Sequence, residues 1–172
     1  RKFNARYGET FPITEPLIGE DVGRILGLDG NAKMSKSLGN TVGILADPDN
    51  VWDKVRTAVT DPQRVRRDDP GRPEVCNVFA LHRFFTEENA REEIEAGCRS
   101  AELGCVDCKR ILSGNIATSF APYRERATHY REHPSEVRDV LDQGAEKARK
   151  IASETMQEVR RKMGLNWRNA IP

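Results

Sequence analysis

Residues 33–37 combine two lysines and two serines in one short segment between Gly30 and Gly39. The segment reads Lys33-Met34-Ser35-Lys36-Ser37. A loop flanked by glycines can move and can bring its backbone close to a ligand. Two ammonium groups and two hydroxyl donors suit a polyphosphate whose negative charge grows as a bond breaks. We call residues 33–37 the lysine loop. A solvated basic surface loop is the alternative interpretation.

Four cysteines form a second candidate site. They are Cys76, Cys98, Cys105 and Cys108, in the spacing C-x21-C-x6-C-x2-C. A C-x2-C pair places two thiolates one helical turn or one knuckle apart, and four sulfurs suit tetrahedral zinc or an iron–sulfur cluster. Disulfides are rare in the cytoplasm, where we expect this protein to reside. The remaining alternative is reduced cysteines without metal, because a free cysteine packs like a small hydrophobic residue.

The elements that must position these residues are predicted to be mostly helical. Prolines and a glycine in residues 1–20 predict short extended pieces, and residues 22–28 are predicted to be a strand that enters the lysine loop. Asp47 and Pro48 are typical of a helix start. The apolar stripe of this helix is predicted to comprise Val51, Trp52, Val55 and Val59. The polar, arginine-rich segment 64–73 is interpreted as a domain boundary.

After residue 74 the hydrophobic spacing predicts four helices. The first covers residues 78–85, the second is capped by Thr86 and ends near Gly97, the third covers residues 105–131, and the last begins at Pro134. The stripe of the third comprises Leu112, Ile116, Phe120, Tyr123, Ala127 and Tyr130. Together these helices are predicted to form a compact antiparallel bundle.

The composition limits the function only loosely. The chain has 172 residues, with 28 Lys and Arg against 27 Asp and Glu, which allows one domain or two small ones. A net charge of +1 means that an RNA contact would need locally clustered positive charge. No apolar run approaches the ~20 residues of a membrane span, and no signal peptide is visible. We therefore expect no membrane association. Because it starts at Arg1, the chain is expected to be part of something longer.

The lysine loop matches the KMSKS signature of class I aminoacyl-tRNA synthetases at all five positions. Other segments resemble the C-terminal half of bacterial-type tryptophanyl-tRNA synthetases, namely Leu28-Asp29-Gly30, Thr60-Asp61-Pro62, Asp69-Pro70-Gly71 and Gly104-Cys105-Val106-Asp107-Cys108-Lys109. The resemblance extends from Phe3 to Leu165. It implies that residues 1–63 are the C-terminal edge of an α/β, Rossmann-like nucleotide-binding domain. It also implies that residues 64–172 are a helical domain that binds the tRNA anticodon.

The resemblance implies a homodimeric ligase that activates tryptophan with ATP and Mg²⁺ and transfers it to tRNA. Lys36 is then the main contact to the departing pyrophosphate in the transition state, and Lys33 also contacts the phosphates. Met34 is placed against the adenine, with hydrophobic anchoring of the loop as the alternative. Ser35 and Ser37 complete the implied ATP-binding residues. Lys33 and Lys36 are therefore the predicted catalytic residues.

Some tryptophanyl-tRNA synthetases bind a [4Fe-4S] cluster beside the anticodon-binding helices through a C-x22-C-x6-C-x2-C pattern. The resemblance implies the same role for Cys76, Cys98, Cys105 and Cys108, although the first gap is one residue shorter here. Lys109 and Arg110 directly follow the C-x2-C pair. They are the first candidates for contact with the tRNA.

Two alternative functions remain open at this point. The His-Ile-Gly-His signature of the family is absent, since the histidines are His82, His129 and His133 and none has that context. We therefore expect the chain alone to be inactive. A tyrosyl-tRNA synthetase-like ligase is one alternative, and the cysteine spacing weighs against it. The other is a synthetase-derived, metal-bearing module that binds RNA or protein without ligase activity. The intact lysine loop weighs against this second alternative.

Overall fold

The computed structural model describes residues 1–18 and 24–165. This part of the chain is built from α-helices joined by loops. The helices are α1 (Lys2–Tyr7), α2 (Pro48–Val55), α3 (Asn77–Phe85), α4 (Glu88–Arg99), α5 (Cys105–Glu132) and α6 (Pro134–Lys162). Two short 3-10 helices cover Lys36–Leu38 and Pro73–Val75. The lysine loop lies before α2, and the cysteines lie at the ends of α3, α4 and α5.

The chain divides into two compact units. One lies within Gly19–His129 and contains the lysine loop, α2, α3, α4 and most of α5. The other lies within Arg1–Ile18 and Tyr130–Pro172 and contains α1 and α6. This division does not coincide with the predicted functional boundary between residues 63 and 64. That boundary stays a prediction, because compactness does not report which residues bind nucleotide or RNA.

The prediction that residues 1–63 are the edge of an α/β, Rossmann-like domain was wrong. The described residues contain no β-strand, and their extended pairing is limited to one antiparallel bridge between Leu26 and Lys33. A strand needs neighbouring strands that pair with its backbone along its length, and a lone hairpin is marginal. Here the chain turns back at once through Gly30, whose N–H donates to the carbonyl of Gly27 at 2.9 Å. Of the predicted strand, residues 22 and 23 lie outside the described part.

Helix α2 begins as predicted. The Asp47 carboxylate accepts a hydrogen bond from the N–H of Asn50 at 2.8 Å, and Pro48 is the first helical residue. Val51 and Val55 are completely buried. Val59, predicted to continue this stripe, lies beyond the helix and is 46% exposed. Its backbone has a different function, because its N–H donates to the carbonyl of Leu28 at 2.9 Å and so holds the entry to the lysine loop.

The core of the larger unit lies between α2, α3, α4 and α5. Its buried apolar residues include Val55, Val78, Leu81, Ile94, Leu112 and Ile116. The predicted limits of α5 are confirmed to within one residue. Its predicted stripe is buried only in the first half, since Tyr123 and Tyr130 are 50% and 45% exposed.

Thr86 does not cap α4 as predicted. The helix begins at Glu88 without any side-chain capping bond, while Thr86 lies at the end of α3. The Thr86 hydroxyl lies instead 2.7 Å from Nδ1 of His82. A hydroxyl that is buried beside an imidazole satisfies its hydrogen bonds there and is not available to a helix end.

Helix α6 begins at Pro134, as predicted, but its apolar stripe is largely exposed. Val159 is its buried residue, whereas Leu141 is 66% exposed. At its end, the Lys162 ammonium donates to Thr10 Oγ1 at 2.9 Å and so ties α6 to the segment after α1. Among the helices described here, none combines the length and apolar character needed to cross a membrane.

Candidate functional site

The two lysines of the lysine loop present their side chains to solvent. Lys33 and Lys36 are exposed, and neither forms an ion pair with any residue in the described part of the chain. The hydroxyls of Ser35 and Ser37 lie 2.9 Å apart. Met34 is half-buried and packs against the hydrophobic core. Within the described residues, the loop therefore presents two exposed ammonium groups that form no ion pair, on a short segment that Met34 anchors.

Asn40 fastens both sides of the lysine loop. Its side chain is buried, its Oδ1 accepts the N–H of Ser35 at 2.8 Å, and its Nδ2 donates to Asp29 Oδ2 at 3.0 Å. Its carbonyl accepts the N–H of Leu28 at 2.9 Å. The hydrogen bond from Asn40 is the main reason that the pKa of Asp29 lies below its usual value. Sequence reasoning missed the role of Asn40. The available signal was an asparagine directly after Gly39, close behind the lysine loop.

A second asparagine ties the base of the loop to α3. Asn77, the first residue of α3, is buried and donates from Nδ2 to the carbonyl of Gly27 at 2.8 Å. Across the turn, Met34 N–H donates to the carbonyl of Ile25 at 3.0 Å. Because buried amides are costly to leave unpaired, this contact fixes the loop base on the helix that also carries His82.

A cavity of about 410 Å³ opens beside the loop. Leu38, Gly39 and Asn40, which follow the lysine loop, line its wall, and α2 contributes Lys54. Lys33 and Lys36 do not line this cavity. Gly39 lies in the left-handed region at φ 67°, which ends the short 3-10 helix that carries Lys36.

The structure brings the four cysteines together from three elements. Cys76 directly precedes α3, Cys98 lies in the last turn of α4, and Cys105 and Cys108 lie in the first turn of α5. All four are free thiols. Burial, followed by the charges of the other three cysteines, raises the pKa of Cys108 to about 12. Burial is also the main reason that the pKa of Cys98 is raised.

The surroundings of Cys98 suit a negatively charged sulfur group. Arg64 Nη1 lies 3.7 Å from the Cys98 sulfur, and Gly71 N–H donates to the Cys98 carbonyl at 2.9 Å. A Cβ at Gly71 would lie 2.3 Å from that sulfur, so only glycine fits there.

The spacing of the sulfurs distinguishes between metals. In the described part of the chain, no three of these sulfurs lie within 4.8 Å of one another. A tetrahedral zinc with Zn–S bonds of ~2.3 Å needs sulfurs only ~3.8 Å apart, whereas a four-iron cluster is larger and holds its thiolates farther apart. As they are placed, therefore, no three of these sulfurs could bind one zinc ion together.

His82 is completely buried beside this group of cysteines, at 0% exposure. Its Nε2 lies 3.4 Å from the sulfur of Cys108. Burial lowers the pKa of His82 to about 4, so the imidazole is neutral at pH 7. Sequence reasoning missed this contact, because nothing in the local spacing around His82 points to Cys108.

The two predicted tRNA contacts, Lys109 and Arg110, both touch the region of α2. The Lys109 ammonium donates to the carbonyl of Arg56 at 2.9 Å. The Arg110 guanidinium lies over the ring of Trp52. Each side chain thus has a partner within the protein, and its contact with tRNA stays a prediction.

Comparisons with a family model and with individual proteins indicate the same family. Residues 1–121 match the family model described as tRNA synthetases class I (W and Y). The chain is 48% identical over 164 residues to a tryptophan–tRNA ligase of Deinococcus radiodurans, covering 95% of this chain and 50% of the relative. It is 44% identical over 166 residues to the corresponding ligase of Aquifex aeolicus, covering 96% of this chain and 42% of the relative.

A solved structure is similar as well. The tryptophanyl-tRNA synthetase of Campylobacter jejuni, in complex with ADP and tryptophan, superimposes with a TM-score of 0.79 at 34% sequence identity. The match covers 95% of this chain and 50% of that one. The chain thus spans about half the length of the proteins that it matches.

Proposed function

The chain belongs to the class I tRNA synthetases of the W and Y family, and from this we propose that it is part of a tryptophan–tRNA ligase. In this proposal the chain supplies the KMSKS loop to an ATP-dependent activation of tryptophan. Its helices contribute to recognition of the tRNA anticodon. The tryptophan–tRNA ligases at 44–48% identity support tryptophan as the amino acid.

The observation that carries the proposal is the exposure of Lys33 and Lys36 on a loop that Asn40 holds in place. Activation of an amino acid by ATP releases pyrophosphate, and negative charge accumulates on it as the bond to the α-phosphate breaks. Two ammonium groups that form no ion pair with the described residues can approach that charge without first breaking a salt bridge to any of them. Such contacts accelerate the reaction when they are stronger in the transition state than in the ground state. ATP enters with Mg²⁺ as its counterion.

The test is ATP–pyrophosphate exchange on an enzyme that carries this chain together with the remainder of a ligase. We expect exchange that depends on tryptophan and not on tyrosine. Exchange with tyrosine and not with tryptophan would indicate a tyrosyl-tRNA synthetase-like ligase instead. No exchange with either amino acid would favour a binding module without ligase activity. The present chain by itself is expected to give no exchange, because it lacks the His-Ile-Gly-His signature.

For the RNA, we propose that Lys109 and Arg110 add phosphate or base contacts beside the start of α5. Their position next to the cysteine group supports this, as does the planar, stacking character of arginine. Lys109→Ala should weaken binding of the cognate tRNA and reduce the salt dependence of that binding. Lys147→Ala, an exposed change on α6, is the matched control. Equal affinities for both variants would remove Lys109 from the interface.

For the four cysteines, we propose a [4Fe-4S] cluster held by Cys76, Cys98, Cys105 and Cys108. The position of four thiols at the ends of α3, α4 and α5 and the Arg64 guanidinium beside Cys98 support it. Such a cluster would link the ends of α3, α4 and α5, and its role would be to hold them together. Anaerobically purified protein should then show an absorbance band near ~400 nm that Cys108→Ser removes. Protein containing zinc or no metal, with no such band, would reject the cluster.

Two further parts of the proposal concern the whole enzyme. We propose that it functions as a homodimer and that it works in the cytoplasm, where tRNA charging takes place. Sedimentation of the enzyme at micromolar concentration tests the first. A monomer that retains full exchange activity would reject the dimer.

A further inference from the structure

A continuous chain of hydrogen bonds runs through the core from α5 to α3 and back to α5. Asn115 Nδ2 donates to the hydroxyl oxygen of Thr86 at 2.8 Å. That hydroxyl lies 2.7 Å from Nδ1 of His82, and Nε2 of His82 lies 3.4 Å from the sulfur of Cys108. Thr86, His82 and Cys108 are all buried. The chain of hydrogen bonds therefore ends on one of the four candidate ligand sulfurs, at a buried position.

The donors in this chain set its direction. The Thr86 oxygen already accepts a hydrogen bond from Asn115, and its own O–H needs an acceptor because it is buried. Nδ1 of His82 is the acceptor within reach, so it carries no proton. The neutral imidazole then has its proton on Nε2, which faces Cys108. The hydrogen bond consequently runs from His82 to the sulfur.

We propose that His82 is a positioning residue for Cys108. Its Nε2–H donates to the Cys108 sulfur and so orients and stabilises the thiolate as a metal ligand. A buried thiolate loses its solvation by water, and a charge-assisted hydrogen bond replaces part of it. Hydrogen bonds to ligand sulfurs are also one of the means by which a protein sets the reduction potential of a cluster. The inference rests on the cofactor site proposed above. It assigns to His82, Thr86 and Asn115 a shared function that no signature in the sequence indicates.

The test compares the wild-type protein with His82→Leu and His82→Gln, each purified anaerobically. His82→Leu fills a similar volume without a donor, and we expect the reduction potential of the cluster to shift to more negative values. We also expect the cluster to be lost to a chelator more rapidly. His82→Gln retains an amide donor near the position of Nε2 and should restore most of both properties. An unchanged potential in His82→Leu would overturn the proposal.

A packing control separates this role from simple core filling. Phe79 lies on α3 with its ring centroid 6.4 Å from that of His82. Phe79→Leu perturbs the same region without touching the hydrogen-bond chain, so it should leave the potential unchanged. A shift as large as that of His82→Leu would mean that packing, and not the donor, sets the potential.

A second measurement does not depend on the folding of the His82 variants. Nitrogen-15 NMR of the wild-type protein should show the His82 ring protonated on Nε2, and Thr86→Val should let the proton also occupy Nδ1. Protonation on Nδ1 in the wild type would overturn the inference. Wild-type protein without iron would reject the cofactor site itself, whereas iron with an unchanged potential in His82→Leu would reject the role of His82 alone.

Discussion

The guanidinium carbon of Arg110 lies 4.5 Å from the centroid of the Trp52 ring. This contact joins α5, whose first turn carries Cys105 and Cys108, to α2, which follows the lysine loop. The bond from Lys109 to the carbonyl of Arg56 joins the same two regions. Two contacts therefore join the start of α5 to the region of α2 within one compact unit.

We expect Arg110→Ala to lower the free energy of unfolding by about 0.5–1 kcal/mol, as for a cation–π pair at an exposed site. Urea unfolding of Arg110→Ala, Trp52→Leu and the double variant measures this through a double-mutant cycle. The two single changes should be non-additive by a similar amount. Additive effects would mean that the stacking contributes nothing to stability.

Removal of either loop lysine should slow activation of the amino acid. Lys36→Ala, in an enzyme that carries this chain, should reduce kcat of pyrophosphate exchange by about 100- to 1,000-fold, the usual effect of one charged transition-state contact. Lys33→Ala should act in the same direction. Lys54→Ala removes an ammonium group beside the loop but outside it, and serves as the control. If Lys36→Ala and Lys54→Ala behave alike, Lys36 has no specific role.

Asn40→Asp should loosen the lysine loop while the side chain keeps its shape. The change retains an acceptor for Ser35 but places a second carboxylate where the Asn40 amide now donates to Asp29 at 3.0 Å. This bond is partly buried, and leaving a buried polar group such as the Asn40 amide unpaired costs about 1–3 kcal/mol. Chemical unfolding should report a loss in that range, and the Ser35 amide should exchange with solvent faster.

The control for Asn40 is Asn31→Asp, which introduces the same charge on the same turn at an exposed position. It should leave both the stability and the exchange of Ser35 nearly unchanged. An equal loss in the two variants would indicate a general charge effect in place of a specific bond from Asn40.

Asp61 should make stability depend on pH at the acidic end. Its buried carboxylate accepts two bonds from the Arg72 guanidinium, at 2.7 and 3.0 Å, and this contact holds the pKa of Asp61 far below its usual value. A group with a lowered pKa in the folded state stabilises the fold in full above its unfolded pKa of ~3.9. That stabilisation is lost as the pH falls through the folded pKa.

Thermal unfolding between pH 7 and pH 2 measures this dependence. The melting temperature of the wild type should decrease once the pH is below about 4. Asp61→Asn should have a lower melting temperature at neutral pH, and that temperature should decline less steeply in acid. Asp68→Asn, at an exposed carboxylate, is the control. An Asp61→Asn protein with the wild-type pH profile would show that the pair does not cause the decline.

Local patterns predicted the elements that depend on neighbouring residues. Asp47 and Pro48 predicted the start of α2, and the hydrophobic spacing predicted α5 to within one residue, because capping and helical periodicity act over three or four positions. The predicted strand at residues 22–28 failed for the opposite reason. A strand requires pairing partners from elsewhere, and within the described residues Leu26 found only a single bridge to Lys33.

The sequence by itself determined the position of the lysine loop, its match to a known signature and most of the helix limits. Only the tertiary structure decided that Asn40 bonds to Asp29 eleven residues earlier, and that His82 meets Cys108 across 26 residues. It also decided that Asn77 holds Gly27 across 50 residues. Such contacts join residues that have no fixed spatial relation in an extended chain. They form when the burial of apolar residues on α2, α3 and α5 brings distant segments together, and this lies beyond any local rule.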